Sequence, residues 1–386
     1  MKKITKINKN ANYDIIIVGA GFAGSIMAWK YINKGKKVLI IDKRDSIAGN
    51  AFDYKKNDNF IHKFGPHIFR TNDEEIWNFI NKFGDWEEYK HIVYAKSSNN
   101  SLIHFPLNYE SIKNIFPDSY ENKIQQINLA FKNQDEIKLM EFYKKESTKD
   151  IANKLFNEVI KPYSAKAWGT PIEKLDPSTF DRVPFRKTWE KGYFNNKHQV
   201  LPKDGYTKFF EKILESENID ILLNANANSM INKESYSFDF SPNSTIIWTG
   251  PIDELANFKF GELKYRSLKI KISNKSIVQG IGGYPTLNLP HHPSVTRESN
   301  FKYLNFIEGS SDVFLTEEPG WYSKESEDFN ERYYPISTND EIKKYDLYKK
   351  YFNEQHPGKI KFIGRLAEYK YYDMEQIIKR VLNEKI

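Results

Sequence analysis

Residues 13–50, YDIIIVGAGFAGSIMAWKYINKGKKVLIIDKRDSIAGN, constrain the fold more than any other part of the chain. Ile15–Val18 is a short β-branched run of the kind a parallel strand buried on both faces requires. Gly19-Ala20-Gly21-Phe22-Ala23-Gly24 follows at once and opens a helical segment that ends near Gly35. Val38–Ile41 reads as a second apolar strand, delivering Asp42 eighteen residues after Gly24. Gly19 permits a tight turn, and Gly21 lets backbone approach a pyrophosphate at the helix N-terminus. Gly24 lets the helix lie against the strand, and Asp42 is placed to accept hydrogen bonds from a ribose. Glycines framed by strand, helix, strand and acid at this spacing predict a dinucleotide-binding unit.

At 386 residues the chain can form two or three domains. With 39% hydrophobic and 15% aromatic residues it has the means to build real cores, which argues against disorder. The net charge of +7 comes from lysines spread among acids, with no run of five or six like charges. That pattern predicts a solvated surface and no nucleic-acid partner, and it suits a basic cleft for a small anion. The absence of cysteine excludes disulfides, thiolate nucleophiles, iron–sulfur clusters and Cys-ligated zinc. Residues 1–12 are polar, so no signal peptide is expected, and residues 15–29 are too short and Gly-rich for a membrane span. A cytoplasmic protein without a metal centre is the expectation.

Along the chain, 73–83 predicts a helix with Asn72 as N-cap, and 91–105 a hairpin turning near 98–101. From 108 to about 166 the pattern is helical, with apolar stripes through Ile127, Ala130 and Phe131 and through Ile151, Leu155, Val159 and Ile160. A helix is expected at 208–216 and strands at 219–223, 244–249, 303–306, 312–316 and 359–363, before a last helix at 375–382. The alternation of 263–272 predicts an antiparallel strand with one wet face. The fold class is therefore α/β. A Rossmann-like parallel-sheet domain (13–78, 200–253 and 357–386) would carry a helical insertion (109–168) and an antiparallel sheet domain (79–108, 169–199 and 254–356).

Asp42-Lys43-Arg44 and Ile47-Ala48-Gly49-Asn50 resemble the flavin-dependent members of the dinucleotide fold, where FAD lies extended. Further motifs are Gly65-Pro66-His67-Ile68-Phe69, Tyr163-Ser164-Ala165-Lys166-Ala167-Trp168-Gly169, Arg182-Val183-Pro184-Phe185-Arg186 and Gly192-Tyr193-Phe194. With Gly364-Arg365 and RLAEYKYYDM (365–374), they resemble the UDP-galactopyranose mutase family over nearly the whole chain. The resemblance implies an FAD-dependent isomerase, active with reduced flavin, that interconverts pyranose and furanose forms of a nucleoside-diphosphate sugar through a flavin N5–sugar adduct. It places Gly19, Gly21, Phe22, Gly24, Asp42, Lys43, Gly49, Asn50, His67, Gly364, Arg365, Tyr372, Asp373 and Met374 around FAD, with His67 beside the isoalloxazine. It makes Arg182 and Arg297 the diphosphate clamp, Tyr163 the platform under the base, Trp168 part of a lid, and Tyr193 and Tyr371 diphosphate ligands. A homodimer and a role in O-antigen or lipopolysaccharide synthesis are also implied.

Departures from the family pattern fall around the sugar. Arg70 stands where GPHIFHT has its second histidine, and His104 where a substrate-side asparagine is usual, so both are candidate sugar contacts. Glu317-Glu318-Pro319 replaces EYP, which would set an acid near an anion. Lost polar contacts point toward a deoxy sugar such as dTDP-fucopyranose; the expected substrate is that or UDP-galactopyranose, with UDP-N-acetylgalactopyranose as the alternative because Arg70 resembles variants that accept it. The rival from another reaction class is a flavin amine oxidase or dehydrogenase on the same fold. A non-catalytic flavoprotein is the third reading.

Overall fold

The computed structural model describes residues 1–7, 12–169, 184–305 and 309–386. Its centre is a six-stranded, all-parallel sheet. The strand order is Lys2–Ile4, Ile219–Leu222, Val38–Ile41, Ile15–Val18, Thr245–Trp248, Ile360–Phe362. The apolar runs explain why such short strands hold. Ile15, Ile17, Val38, Ile40, Ile219 and Ile221 pack into one core, and Ile16, Leu39, Ile41, Ile246 and Trp248 into the core on the opposite face. Each fully buried Ile contributes about 2 kcal/mol. The edge strand Lys2–Ile4 had no signal in the polar N-terminal segment, and it lies outside the expected limits of this unit.

The second sheet has seven strands, in the order Tyr334–Pro335, Tyr265–Ser273, Phe314–Trp321, Arg297–Asn300, Thr286–Asn288, Val93–Lys96, Leu102–Phe105. All its pairings are antiparallel except Thr286–Asn288 with Val93–Lys96. The helical segment packs on the Val93–Phe105 hairpin through Ile112, Ile127, Phe142, Ile151, Leu155 and Val159, joined by Ala95 and Ile103.

Three local expectations are corrected. The helix Glu74–Ile80 is capped by Asp73, whose Oδ1 accepts the Glu75 and Ile76 amides at 3.0 and 3.4 Å. Asn72 instead accepts from the Lys197 N–H at 2.7 Å. The helix expected from 208 starts at Gly205, because the buried Asp53 carboxylate takes the N–H groups of Tyr206 (2.6 Å) and Thr207 (2.8 Å). Finally, Phe301–Leu304 is a helical turn capped by Asn300, not the start of a strand.

Candidate active site

The glycine fingerprint forms one wall of a long cavity at the C-terminal edge of the parallel sheet, where ligands of open α/β folds bind. Gly19, Gly21, Phe22, Asp42, Lys43, Asn50, His67, Gly364, Arg365, Tyr372, Asp373 and Met374 all line it. Gly24 and Gly49 stand behind. A Cβ on Gly24 would lie 1.9 Å from the Gly19 carbonyl oxygen, and one on Gly49 2.9 Å from the Gly21 Cα. Gly19 has φ +104°, and a Cβ there would meet the Thr249 hydroxyl at 2.1 Å. These glycines let three backbone segments meet closely enough to make the cradle.

The helix Phe22–Ile32 has no side-chain cap and no acid in its first turn. Its free N–H groups and positive dipole end are therefore available to a pyrophosphate. Asp42 accepts the Ala20 amide at 2.7 Å and the Arg44 amide at 2.9 Å, one on each oxygen, so only its remaining lone pairs can serve a ribose. Arg44 lies 2.9 Å from Glu331, and Lys43 3.6 Å. Burial opposes the Glu331 charge, but the two cations hold its carboxyl below the usual range.

His67 lines the same cavity. Its Nδ1 lies 2.6 Å from the Gly65 carbonyl, its backbone N–H donates to His62 Nδ1 at 2.9 Å, and its carbonyl accepts the Tyr206 hydroxyl at 3.1 Å. Burial, helped by His62, pulls the imidazole down to about 3, so it is neutral at physiological pH. Asp373 caps the helix Met374–Leu382 in a reciprocal box with Gln376. Its other oxygen lies 3.1 Å from Arg70 Nη2.

A second constellation shares the Arg365 wall. The Arg365 guanidinium lies over the rings of Tyr371 (4.8 Å) and Tyr334 (5.9 Å) and donates to the Tyr372 carbonyl at 2.5 Å. Beyond these rings, Arg297 Nη2 meets Glu317 Oε2 at 2.6 Å, and the buried Arg297 Nε has no hydrogen-bond partner among the described residues. Burial raises the hydroxyl pKa of Tyr163 and Tyr193, and Arg297 lies near enough to both to counter it. Tyr334 is pushed up to about 12 by burial and by Glu317. One guanidinium ringed by protonated phenols is suited to a small, multiply charged anion.

Tyr163, Tyr193, Arg297 and Tyr371 are thus brought together, and Trp168 ends the helix Lys161–Trp168 that carries Tyr163. Arg182 lies outside the described residues. His104 is a correction: its ring is fully buried, with Nε2 2.8 Å from the Lys191 carbonyl and Nδ1 3.2 Å from that of Pro106. Both nitrogens face protein carbonyls, which makes it a strut and not a sugar contact. Arg70 is half-buried with its guanidinium over Phe194 at 4.5 Å. Glu318 pairs with Lys269 in the ladder, and strand alternation sends its side chain away from the face of Glu317. The acid in the site is Glu317, whose charge is spent on Arg297.

Tyr334 and the turn Ala225–Asn228 escaped sequence reasoning, as did the pairing of Glu317 with Arg297. The turn lines the cavity just past the Ile219–Leu222 strand, so the rule placing ligands beyond parallel strand ends could have found it. Among the described residues no cluster of His, Asp and Glu could hold a metal ion, and no helix is long and apolar enough to cross a membrane.

The fold and cavity define an α/β protein of the Rossmann-like dinucleotide-binding class. A family model described as UDP-galactopyranose mutase matches residues 158–371, and one for an NAD(P)-binding Rossmann-like domain matches residues 17–83. The UDP-galactopyranose mutase of Mycoplasma genitalium is 35% identical, over 96% of this chain and 93% of the relative. The dTDP-fucopyranose mutase of Escherichia coli is 28% identical, over 95% of this chain and 96% of its own. The crystal structure of a reduced UDP-galactopyranose mutase superposes with a TM-score of 0.66 at 13% identity, over 96% of this chain and 93% of that one, a likeness of fold. The chain belongs to the UDP-galactopyranose mutase family. It is an isomerase, a sugar-nucleotide mutase.

Proposed function

We propose that this enzyme interconverts the pyranose and furanose forms of UDP-galactose with FAD bound in the long cavity. The observation that carries this reading is the shared wall: Arg365 lines the cofactor cavity, and Tyr334, under its guanidinium, also lies near Arg297. A flavin and a sugar diphosphate would meet across it.

The residues present fit FAD. Gly19 and Gly21 would admit the pyrophosphate at the Phe22–Ile32 N-terminus, Asp42 and Lys43 would serve the adenosine end, and His67 and Gly364 the ring end. In its reduced form the bound flavin would supply the nucleophile that takes the anomeric carbon from the nucleoside diphosphate. The chain does the rest. Arg297, with Arg182 as its proposed second arm, holds the departing diphosphate so that it can be recaptured. Tyr193, Tyr334 and Tyr371 donate hydrogen bonds to it, and Tyr163 supports the base. Neutral His67 keeps an acceptor or donor beside the flavin without adding charge. The proposal extends to a cytoplasmic homodimer that makes furanose donors for surface polysaccharide.

The test is chromatography of UDP-galactopyranose, dTDP-fucopyranose and UDP-N-acetylgalactopyranose after separate incubation with the FAD-loaded protein, with and without dithionite. A furanose product from UDP-galactopyranose that appears only after reduction is expected. No product from any of the three would overturn the reading and bring oxidase chemistry forward. With His104 removed from the sugar site, the argument for a deoxy sugar loses one of its supports. Arg70 keeps a second reading in view, because its guanidinium beside Phe194 could receive a 2-acetamido carbonyl.

A further inference from the structure

The helix Lys161–Trp168 has no fully buried residue, and its residues 162–168 are half-buried. Charged side chains help to hold it. Lys166 Nζ donates to the carbonyls of Leu289 (2.6 Å), His292 (2.5 Å) and Val295 (2.8 Å), which uses all three of its N–H groups. At the end of the same helix, Arg266 Nη2 donates to the Ala167 carbonyl at 3.1 Å. Burial pulls the Lys166 ammonium down to about 8, a cost that its three charge-assisted bonds must offset.

The three carbonyls belong to the turn between the strands Thr286–Asn288 and Arg297–Asn300. Val295 is followed by Thr296, whose N–H and hydroxyl donate to the Glu317 carbonyl at 2.8 and 3.0 Å. Arg297 comes next, against the Glu317 carboxylate. One unbroken set of bonds therefore runs from the helix of Tyr163 through Lys166 to the base of Arg297.

We propose that Lys166 is a positioning residue that fixes the distance between the Tyr163 base platform and the Arg297 diphosphate clamp. A nucleoside diphosphate long enough to touch both would then be gripped at a set span. This inference rests on the roles proposed above for Tyr163 and Arg297. A lysine that merely stabilised the fold would affect melting and not couple to Tyr163.

The experiment titrates UDP into the FAD-loaded enzyme for wild type, Lys166→Met, Tyr163→Ala and the double variant, with the flavin spectrum and melting curve recorded for each. Lys166→Met is expected to weaken UDP about tenfold, the scale of coupling between residues in one network, and to raise KM more than it lowers kcat. In the Tyr163→Ala background the same change should leave UDP affinity within about twofold. Lys166→Arg keeps the charge but cannot converge three N–H groups on one nest of carbonyls, so it provides a folded variant in which a UDP defect dependent on Tyr163 should persist. Wild-type UDP affinity in the folded Lys166 variants, or an equal loss in both backgrounds, would overturn the proposal alone. A Tyr163→Ala protein that binds UDP like wild type would overturn the platform reading and the proposal with it.

Discussion

Arg297 and Glu317 are direct partners in the antiparallel ladder, and their side chains meet at 2.6 Å. The carboxylate is only 3% exposed, so it depends on the guanidinium for its charge. Arg297→Ala should cost about 3 kcal/mol of stability by leaving that charge uncompensated, and should leave an unpaired anion in the site. UDP binding and turnover should be lost together. Arg297→Met with Glu317→Leu should recover most of the stability, to within about 1 kcal/mol, and none of the UDP binding. Thermal melts and UDP titrations separate the two effects, and an Arg297→Ala protein that matched wild type in both would show the pair to be idle.

The cradle glycines should divide into two behaviours. A Cβ on Gly24 would collide with the Gly19 backbone at 1.9 Å, so Gly24→Ala should fail to fold or melt far below wild type. A Cβ on Gly21 meets only the Gly49 Cα, at an ordinary 3.6 Å, while facing the cavity. Gly21→Ala should fold and yet lose FAD on dialysis, with affinity down about tenfold or more. Retention of full flavin absorbance by the folded Gly21→Ala protein would move the cofactor elsewhere.

Arg70 should tune the sugar. Its guanidinium is shared between Asp373 at 3.1 Å and the Phe194 ring at 4.5 Å. Arg70→His should lower the ratio of kcat/KM for UDP-N-acetylgalactopyranose over UDP-galactopyranose about tenfold, the scale of one lost polar contact in a selective pocket. An unchanged ratio would remove Arg70 from sugar recognition.

Stability should fall in mild acid. Burial pulls His62, His67 and His91 each down to about 3. The unfolded chain binds these protons near its ordinary histidine pKa of about 6.5. Below that pH the unfolded state holds more protons than the folded one, so stability is full above it and is lost as pH falls toward 3. Each buried ring should cost about 2 kcal/mol between about pH 7 and pH 5. Urea unfolding across that range checks the slope, and His62→Phe should reduce it by about a third; an unaltered slope would place the titration elsewhere.

How far the molecule could be read in advance depended on the range of the interaction. The runs Ile15–Val18 and Val38–Ile41 declare buried parallel strands because both faces must be apolar, and both appear as read. The helix of Tyr206 was misplaced because its first turn is capped by Asp53, 153 residues away in sequence. His104 shows the same limit from the other side: its motif position suggested a ligand contact, and the fold buries its ring against the carbonyls of Lys191 and Pro106.

By itself, then, the sequence determined the central strands of the parallel sheet and the glycine cradle, since apolar runs and glycine spacing are local properties. Only the tertiary structure decided which charges face one another. Lys166 against the Leu289–Val295 turn, Arg70 on Asp373 and Glu317 beneath Arg297 each join residues from different segments. A side-chain ion pair or hydrogen bond acts over about 3 Å, and no local pattern records which distant segment will be folded to within that reach.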